Sequence, residues 1–335
     1  MKRLTRIAGI VFALTTMTGM ALADTVRLRA TAGSQTGSTG QVMTYISNVV
    51  GEVNQDIQIE VSFNQPGTKA LLQAAKGDAD IHLIVPFIAS LLKGGKAMYK
   101  NIPNHDELFG EIRAMTMYPG GTFQLIVWEK SGIKSFEDLR GKNVFFGPRG
   151  SAVSRMMQGL TKGITGMVAD EDYTLVSLDF GSSFQAFQDG QIDTWFRPVP
   201  VGNAGIQQAA ALDKIRLIGI TEADLENAEV QKQSNIPGRS LTQIAPDAYG
   251  ENQANEGPIT TWKDWTGVGI AAHVDDDVAY SITKAFWENL ADFQAVSGFA
   301  KGIEMENFAK YANVPIHPGA ARYYKEQGLE VPVIE

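Results

Sequence analysis

Apolar and polar positions along the 335-residue chain fall into two successive runs of one pattern. From Val26 to Thr31 they alternate, as in a strand with one buried face. A glycine-rich loop follows, from Gly33 to Gly40. Val42, Tyr45, Ile46, Val49, Val50 and Val53 then recur every three or four residues and predict a helix. Ile57–Phe63 reads as a second strand. Leu71, Leu72 and Ala75 mark a short helix closed by Gly77, and Ile81–Val85 a third strand. The order then returns: a strand at Asn143–Phe146, a Gly/Pro loop at Gly147–Ser151 and a helix from Ala152. A strand at Tyr173–Leu178, a helical turn at Phe184–Gln188 closed by Gly190, and a strand at Ile192–Phe196 complete it. The step from helix through Gly-x-x-Asp into a strand is nearly identical in both units, at Gly77/Asp80 and Gly190/Asp193.

Units of this kind build mostly parallel sheets flanked by helices, with ligands beyond the carboxyl ends of the strands. Two units predict two α/β lobes around a shared cleft; a single wide sheet with one site is the alternative. The segment Ile112–Trp128 favours two lobes, being strand-like on both sides of Pro119-Gly120-Gly121, as a hinge crossing would be. Val268–Ala272 is the expected return strand, with Trp262 and Trp265 packed nearby. The predicted hinges lie at Tyr118–Gly121 and Gly267–Gly269. Helices over Val278–Leu290, Asp292–Gly302 and Met305–Tyr311 are expected to fold back on the first lobe. That gives lobe 1 as residues 24–120 with 272–335, and lobe 2 as 121–271.

The first 23 residues read as an export leader. Lys2, Arg3 and Arg6 precede an apolar stretch from Ile7 to Met20, and Ala21-Leu22-Ala23 is a small-x-small cleavage site. The apolar stretch is short for a membrane span. Cleavage after Ala23 would leave about 312 residues in the periplasm, enough for two domains. The formal charge of −8 becomes about −11 without the leader, which argues against nucleic acid as a partner. There is no cysteine, so disulfides, thiolate metal sites and cysteine nucleophiles are excluded.

Both glycine-rich loops stand between a strand and a helix start, where free backbone N–H groups attract anions. Gly37, Ser38, Thr39 and Gln41 are the candidates in the first loop, and Arg149, Gly150, Ser151 and Ala152 in the second. Ordinary helix capping by the hydroxyls is the competing reading. Neither loop carries a nucleotide-binding pattern. Arg149 and Arg197 are the sharper candidates, since a guanidinium fork pairs with a carboxylate through two hydrogen bonds. They would take two carboxylates, or one would clamp the ligand while the other pairs with Asp179. Phe87 and Phe180 follow strand ends and are assigned to the cleft, as is the loop Arg197–Gly202 with Pro198. Trp195 and Phe196 are consecutive in a strand and should face opposite layers. Arginine beside an apolar wall suggests an amphipathic acid. The histidines at 82, 105, 273 and 317 are scattered without metal spacing. His82 reads as a satisfied core or surface residue, and Asp275, Asp276 and Asp277 as a helix start rather than a calcium site. No metal or cofactor is expected.

The segments GSTG (Gly37–Gly40), SGIKSFEDLRGKNV (Ser131–Val144), GPRGSA (Gly147–Ala152), FQDGQID (Phe187–Asp193) and IHPGAARYYKEQG (Ile316–Gly328) resemble the TAXI family, the solute receptors of TRAP transporters. The resemblance implies a type II periplasmic-binding-protein fold, a small organic acid as ligand and a fused TRAP permease in the inner membrane as partner. Amino acids such as glutamate and oxo-dicarboxylates are ligand classes of that family. The ligand-facing loops depart from the family pattern at Gln41-Val42-Met43, Ile84–Phe87, Ala152 and both arginines, which argues against glutamate and not against an anion. A monomer is the expected state. No Gly-x-Ser-x-Gly elbow supports a hydrolase, so the expected role is a receptor and not an enzyme. A receptor for an ATP-driven uptake system and a sensory ligand-presenting protein are the remaining alternatives.

Overall fold

The computed structural model describes residues 25–334 except residue 36, so the predicted leader lies outside the described residues. The first unit runs β1 (Val26–Thr31), α1 (Ser38–Val53), β2 (Ile57–Ser62), α2 (Gly67–Ala75), β3 (Ile81–Ile84), α3 (Pro86–Lys93) and α4 (His105–Gly110). A long strand, β4 (Ala114–Trp128), leads into the second unit. That unit comprises β5 (Asn143–Phe145), α5 (Ala152–Thr165), β6 (Thr174–Leu175), α6 (Ser183–Gln188), β7 (Thr194–Val199), α7 (Ala204–Leu212), β8 (Ile215–Ile218), α8 (Ala228–Ser234) and β9 (Arg239–Ile244). A second long strand, β10 (Ile259–Ile270), returns, and α9 (Asp276–Glu288), α10 (Leu290–Val296) and α11 (Pro318–Glu326) complete the chain.

Pairing is parallel within each unit: β1 with β2 and β3, and β5 with β6 and β7. It is antiparallel where the long strands join the units. Hydrogen bonding is therefore continuous along β2-β1-β3-β10-β4-β7-β5-β6, as the wide-sheet alternative required. The cores nevertheless separate. One buried cluster draws on Leu28 through Tyr118 and Trp265 through Tyr324. Two others, on either face of the second unit, draw only on residues between Phe123 and Trp262. Burying a large aliphatic or aromatic side chain contributes about 1.5–3 kcal/mol, so each lobe is held chiefly by its own core. The fold is a two-lobed mixed α/β architecture.

The crossing strands show why the lobes join where they do. β4 pairs with β10 up to Pro119 and with β7 from Thr122 onward, changing partner at Gly120-Gly121. A Cβ on Gly121 would stand 2.4 Å from the Pro198 carbonyl oxygen, and one on Gly120 2.9 Å from that of Asp264. Only glycine lets three strands approach so closely. β10 starts at Ile259, earlier than Val268, and both Trp262 and Trp265 are buried on it.

The repeated Gly-x-x-Asp step is one structural device used twice. Gly77 and Gly190 both adopt left-handed backbone, ending their helices. Asp80 accepts from the Arg29 backbone N–H of β1, and Asp193 from the Asn143 N–H of β5, each at 2.7 Å. Each carboxylate thus ties its own strand to the neighbour.

Other expectations need correction. Val53 closes the apolar stripe of α1 but is 55% exposed, because the helix ends there. β6 is only two residues long, and β7 extends past Phe196 to Val199 because β4 offers it six consecutive partners. The predicted helix over 292–302 breaks at Ser297 into a separate 3-10 turn, Gly298–Gly302. His317 caps α11, accepting from the Gly319 N–H, while its other ring nitrogen lies 3.1 Å from the Val274 carbonyl oxygen. A Cβ on Gly319 would stand 2.1 Å from the Asp276 carbonyl oxygen, so the HPGAAR segment is the close contact of α11 with α9.

Candidate functional site

Between the lobes lies a cleft of about 950 Å³. Lobe 1 contributes Ser34, Gln35, Gly37 and Gln41 from the start of α1, and Val296, Ser297, Gly298 and Phe299 from the turn after α10. Lobe 2 contributes Phe180 and the continuous stretch from Arg197 to Gly205. The lobe 1 wall is built by close approach. The loop before α1 folds over the helix start so tightly that a Cβ on Gly40 would stand 2.2 Å from the Ser34 carbonyl oxygen. Ser297 Oγ donates to Gln41 Oε1 at 3.2 Å and links this loop to the turn after α10. Phe299 meets the Tyr118 ring edge-on, anchoring that turn beside the strand crossing.

The lobe 2 wall is braced from behind. Gln124, buried on β4, donates to the Val199 carbonyl oxygen at 2.8 Å. The Tyr249 hydroxyl accepts from the Gly202 N–H and donates to Gln124. Asn203 caps α7 by accepting from the Gly205 N–H. These bonds tie the wall to the body of lobe 2.

Among the described residues, Arg197 is the one cation lining this cleft. It sits on β7, opposite Gln124, and Pro198 opposite Phe123; both belong to the strand, not to a loop after it. The guanidinium carbon lies 5.5 Å from the Phe180 ring centroid and 5.3 Å from that of Trp195. Flat cations favour such aromatic faces. One N–H donates to the Phe180 carbonyl oxygen at 3.1 Å, and the buried Nε has no hydrogen-bond partner. Burial pushes the guanidinium pKa below its ordinary value. Among the described residues no carboxylate forms an ion pair with it. Trp195 and Phe196 point into opposite core clusters of lobe 2, as alternation requires.

The other candidates are distributed differently. Gly37 and Gln41 line the cleft, while Ser38 and Thr39 lie in the first turn of α1 without lining it. Arg149 is outside the cleft lining: its guanidinium holds both Asp170 oxygens, at 3.0 and 2.8 Å, and the Leu175 carbonyl oxygen at 2.9 Å. Its acidic partner is Asp170 and not Asp179, whose carboxylate accepts from the Ser182 N–H. Ser151 serves as the N-cap of α5, accepting from the Ser154 N–H; Gly150 precedes it and Ala152 opens the helix. Phe87 is half-buried on the first turn of α3, outside the cleft lining. The expected cleft segment Arg197–Gly202 does line the cleft; sequence reasoning missed its continuation through Asn203–Gly205 and the wall at Val296–Phe299. Nothing in the sequence marks the Val296–Phe299 wall; its Val296 is 85% exposed in the structure.

His82 is buried rather than satisfied: neither ring nitrogen has a hydrogen-bond partner. Burial, with a lesser contribution from His273, lowers its pKa to about 3. Asp275 caps α9, accepting from the Asp277 and Val278 N–H groups, and Asp277 pairs with Arg322 at 2.8 Å. Among the described residues no three acidic or histidine side chains converge to hold a metal ion, and no helix is long and apolar enough to cross a membrane.

The sequence profile of the NMT1-like family matches residues 30–328. Among solved structures, the chain is similar to one described as a periplasmic transporter, with 15% identity, a TM-score of 0.52, and 83% of this chain and 87% of that chain covered. It is more distantly similar to the periplasmic aliphatic sulphonate binding protein SsuA from Escherichia coli, at 15% identity, a TM-score of 0.41 and coverage of 90% and 76%. A third is DctP7 of Bordetella pertussis, an extracytoplasmic solute receptor binding pyroglutamic acid. There identity is 12%, the TM-score 0.43 and coverage 90% and 92%.

Proposed function

The chain belongs to the NMT1-like family, and from that premise we propose that it is an exported solute receptor that holds a small organic anion between its lobes and hands it to a membrane permease. The observation that carries this reading is Arg197, a half-buried cation facing the interlobe cleft with no acidic partner among the described residues. An unbalanced charge is costly to bury, so a protein that keeps one in a cleft does so for a ligand that balances it. The bound anion bridges the lobes and stabilises their closed arrangement by the contacts made only there.

In this reading lobe 1 comprises residues 24–120 and 265–335 and lobe 2 residues 121–264; the boundary expected at 272 moves because Trp265, Val268 and Ile270 pack in the lobe 1 core. Closure bends β4 at Gly120-Gly121 and β10 at Asp264-Trp265, where its pairing passes from β9 to β4 and β3; the expected hinge at Gly267–Gly269 is instead paired on both sides within lobe 1. The protein works in the periplasm as a monomer after cleavage behind Ala23. It catalyses no reaction, and the permease recognises its closed form. The segments that resemble those of TAXI receptors, above all His317–Glu326, favour a permease of the TRAP type.

Thermal unfolding against a panel of organic acids tests the reading, with protein unfolded and refolded beforehand to strip carried-over ligand. An acid at a hundred times its dissociation constant adds about 2.7 kcal/mol to the folded state and raises the midpoint by several degrees. A shift that Arg197→Ala abolishes supports the receptor, and a flat panel sinks it. For the partner, uptake driven by an ion gradient fits the TRAP assignment, whereas dependence on ATP overturns it.

A further inference from the structure

The cleft also restricts the charge type of what it holds. Resting on the receptor reading, we infer that the ligand is an organic monoanion without an ammonium group: one acid head, carboxylate or sulfonate, on an uncharged, largely apolar body. The charge inventory argues for this. Among the described residues lining the cleft, Arg197 is the sole cation and there is no aspartate or glutamate. Asp179, next to Phe180 in sequence, is engaged at its own turn. Asp292 and Glu52 do not line the cleft; they line an adjoining groove along α1 and α10, beyond the shared Gln35, Gln41 and Val296.

A second acid group would enter a closing cleft with no cation to meet it, and the Arg197 charge balances only one. An α-ammonium group would meet no carboxylate and would stand near a guanidinium of like charge. Each case leaves a desolvated charge unpaired. The rest of the surface suits an uncharged body. Phe180, Pro198, Val199, Val201, Val296 and Phe299 present rings and aliphatic groups. Val201 and Val296 are 40% and 85% exposed, on opposite lips of the cleft. Apolar groups at these lips gain from covering a hydrocarbon tail as the lobes close.

Two matched series of acids separate the possibilities by calorimetric titration of the stripped protein. Hexanoate, butylmalonate and norleucine share one chain, as do 3-phenylpropanoate, benzylmalonate and phenylalanine; adipate and hexanesulfonate extend the set. In each series the monoacid is expected to bind at least about a hundredfold more tightly than its dianionic or zwitterionic match. Arg197→Gln should abolish that binding, while Arg197→Lys retains part of it. The ligand-free Arg197→Gln protein should melt no lower than the parent, because it loses a charge that nothing balances. If a diacid or amino acid binds as well as its monoacid and Arg197→Gln abolishes its binding, the monoanion inference falls and the anion receptor stands. If no acid binds, or Arg197→Gln leaves binding unchanged, the receptor reading falls and takes the inference with it.

Discussion

Arg149 follows β5 and Arg197 lies near the end of β7, the strand paired with it, so the two arginines begin from neighbouring places in lobe 2. Their surroundings differ. Arg149 is half-exposed and grips both oxygens of Asp170. Arg197 is flanked by two aromatic rings, has an unpartnered buried Nε and faces the cleft. The first charge is already answered within the protein; for the second, no carboxylate among the described residues forms an ion pair. Residue type and position relative to a strand end do not distinguish the two. The difference lies in whether folding supplies a carboxylate, which here depends on a residue 21 positions away.

The sharpest way to break the comparison is to remove each arginine in turn. Arg197→Ala is expected to cost about 2–5 kcal/mol of anion affinity, measured by titration calorimetry. Arg149→Ala should leave that affinity within about twofold. Equal losses would erase the distinction. The next largest effect tests the opposite wall. Gly40→Ala drives a methyl group into the Ser34 carbonyl oxygen, and should lower stability by about 1–3 kcal/mol in chemical denaturation while weakening anion binding. An unchanged Gly40→Ala protein would show that the loop before α1 is not held as described.

Acid separates stability from binding. His82 is neutral in the folded protein down to about pH 3, whereas the unfolded chain takes up a proton near pH 6.5. The unfolded state therefore binds more protons in that window, and stability is lost as pH falls from 6.5 towards 3. Asp80 adds to this at lower pH. Burial alone would raise its pKa, but hydrogen bonds from the Arg29 side chain and backbone and from His273 outweigh it and leave the value at about 2. Its contribution, complete above the ordinary aspartate value of 3.8, is lost as pH falls towards 2. Melting curves should thus decline through the His82 window, and His82→Gln should flatten that part of the profile. Arg197 stays charged throughout, so anion affinity should instead follow the ligand's own acid group. The smallest effect is expected from Asp170→Asn, which releases Arg149 and should leave anion affinity within about twofold. A gain in affinity there would bring Arg149 into the site.

Much of the framework was legible in the chain because it rests on local rules. The stripe on α1, the two β-α-β-α-β units and the glycine-aspartate steps follow from period, capping and one short hydrogen bond each. The crossing of β4 was visible in Pro119-Gly120-Gly121 because close packing of three strands leaves no room for a Cβ. What stayed hidden depends on distant partners. β7 runs on through Arg197 to Val199 only because β4 lies alongside, and α7, β8, α8 and β9 fall where the repeat offers no template. The cleft was half legible. Gly37, Gln41, Phe180, Arg197 and Pro198 line it. The segment running to Gly202 was legible as one that follows a predicted strand end, whereas the wall after α10 is brought to it by folding, and no spacing in the chain announces that.

The central claim is that Arg197 holds an anion between the lobes. It is tested most directly by thermal unfolding of the stripped protein and of Arg197→Gln, side by side, with the same monoacids. The account predicts a midpoint raised by several degrees in the parent and unmoved in the variant. The same rise in both proteins, or none in the parent, would contradict it.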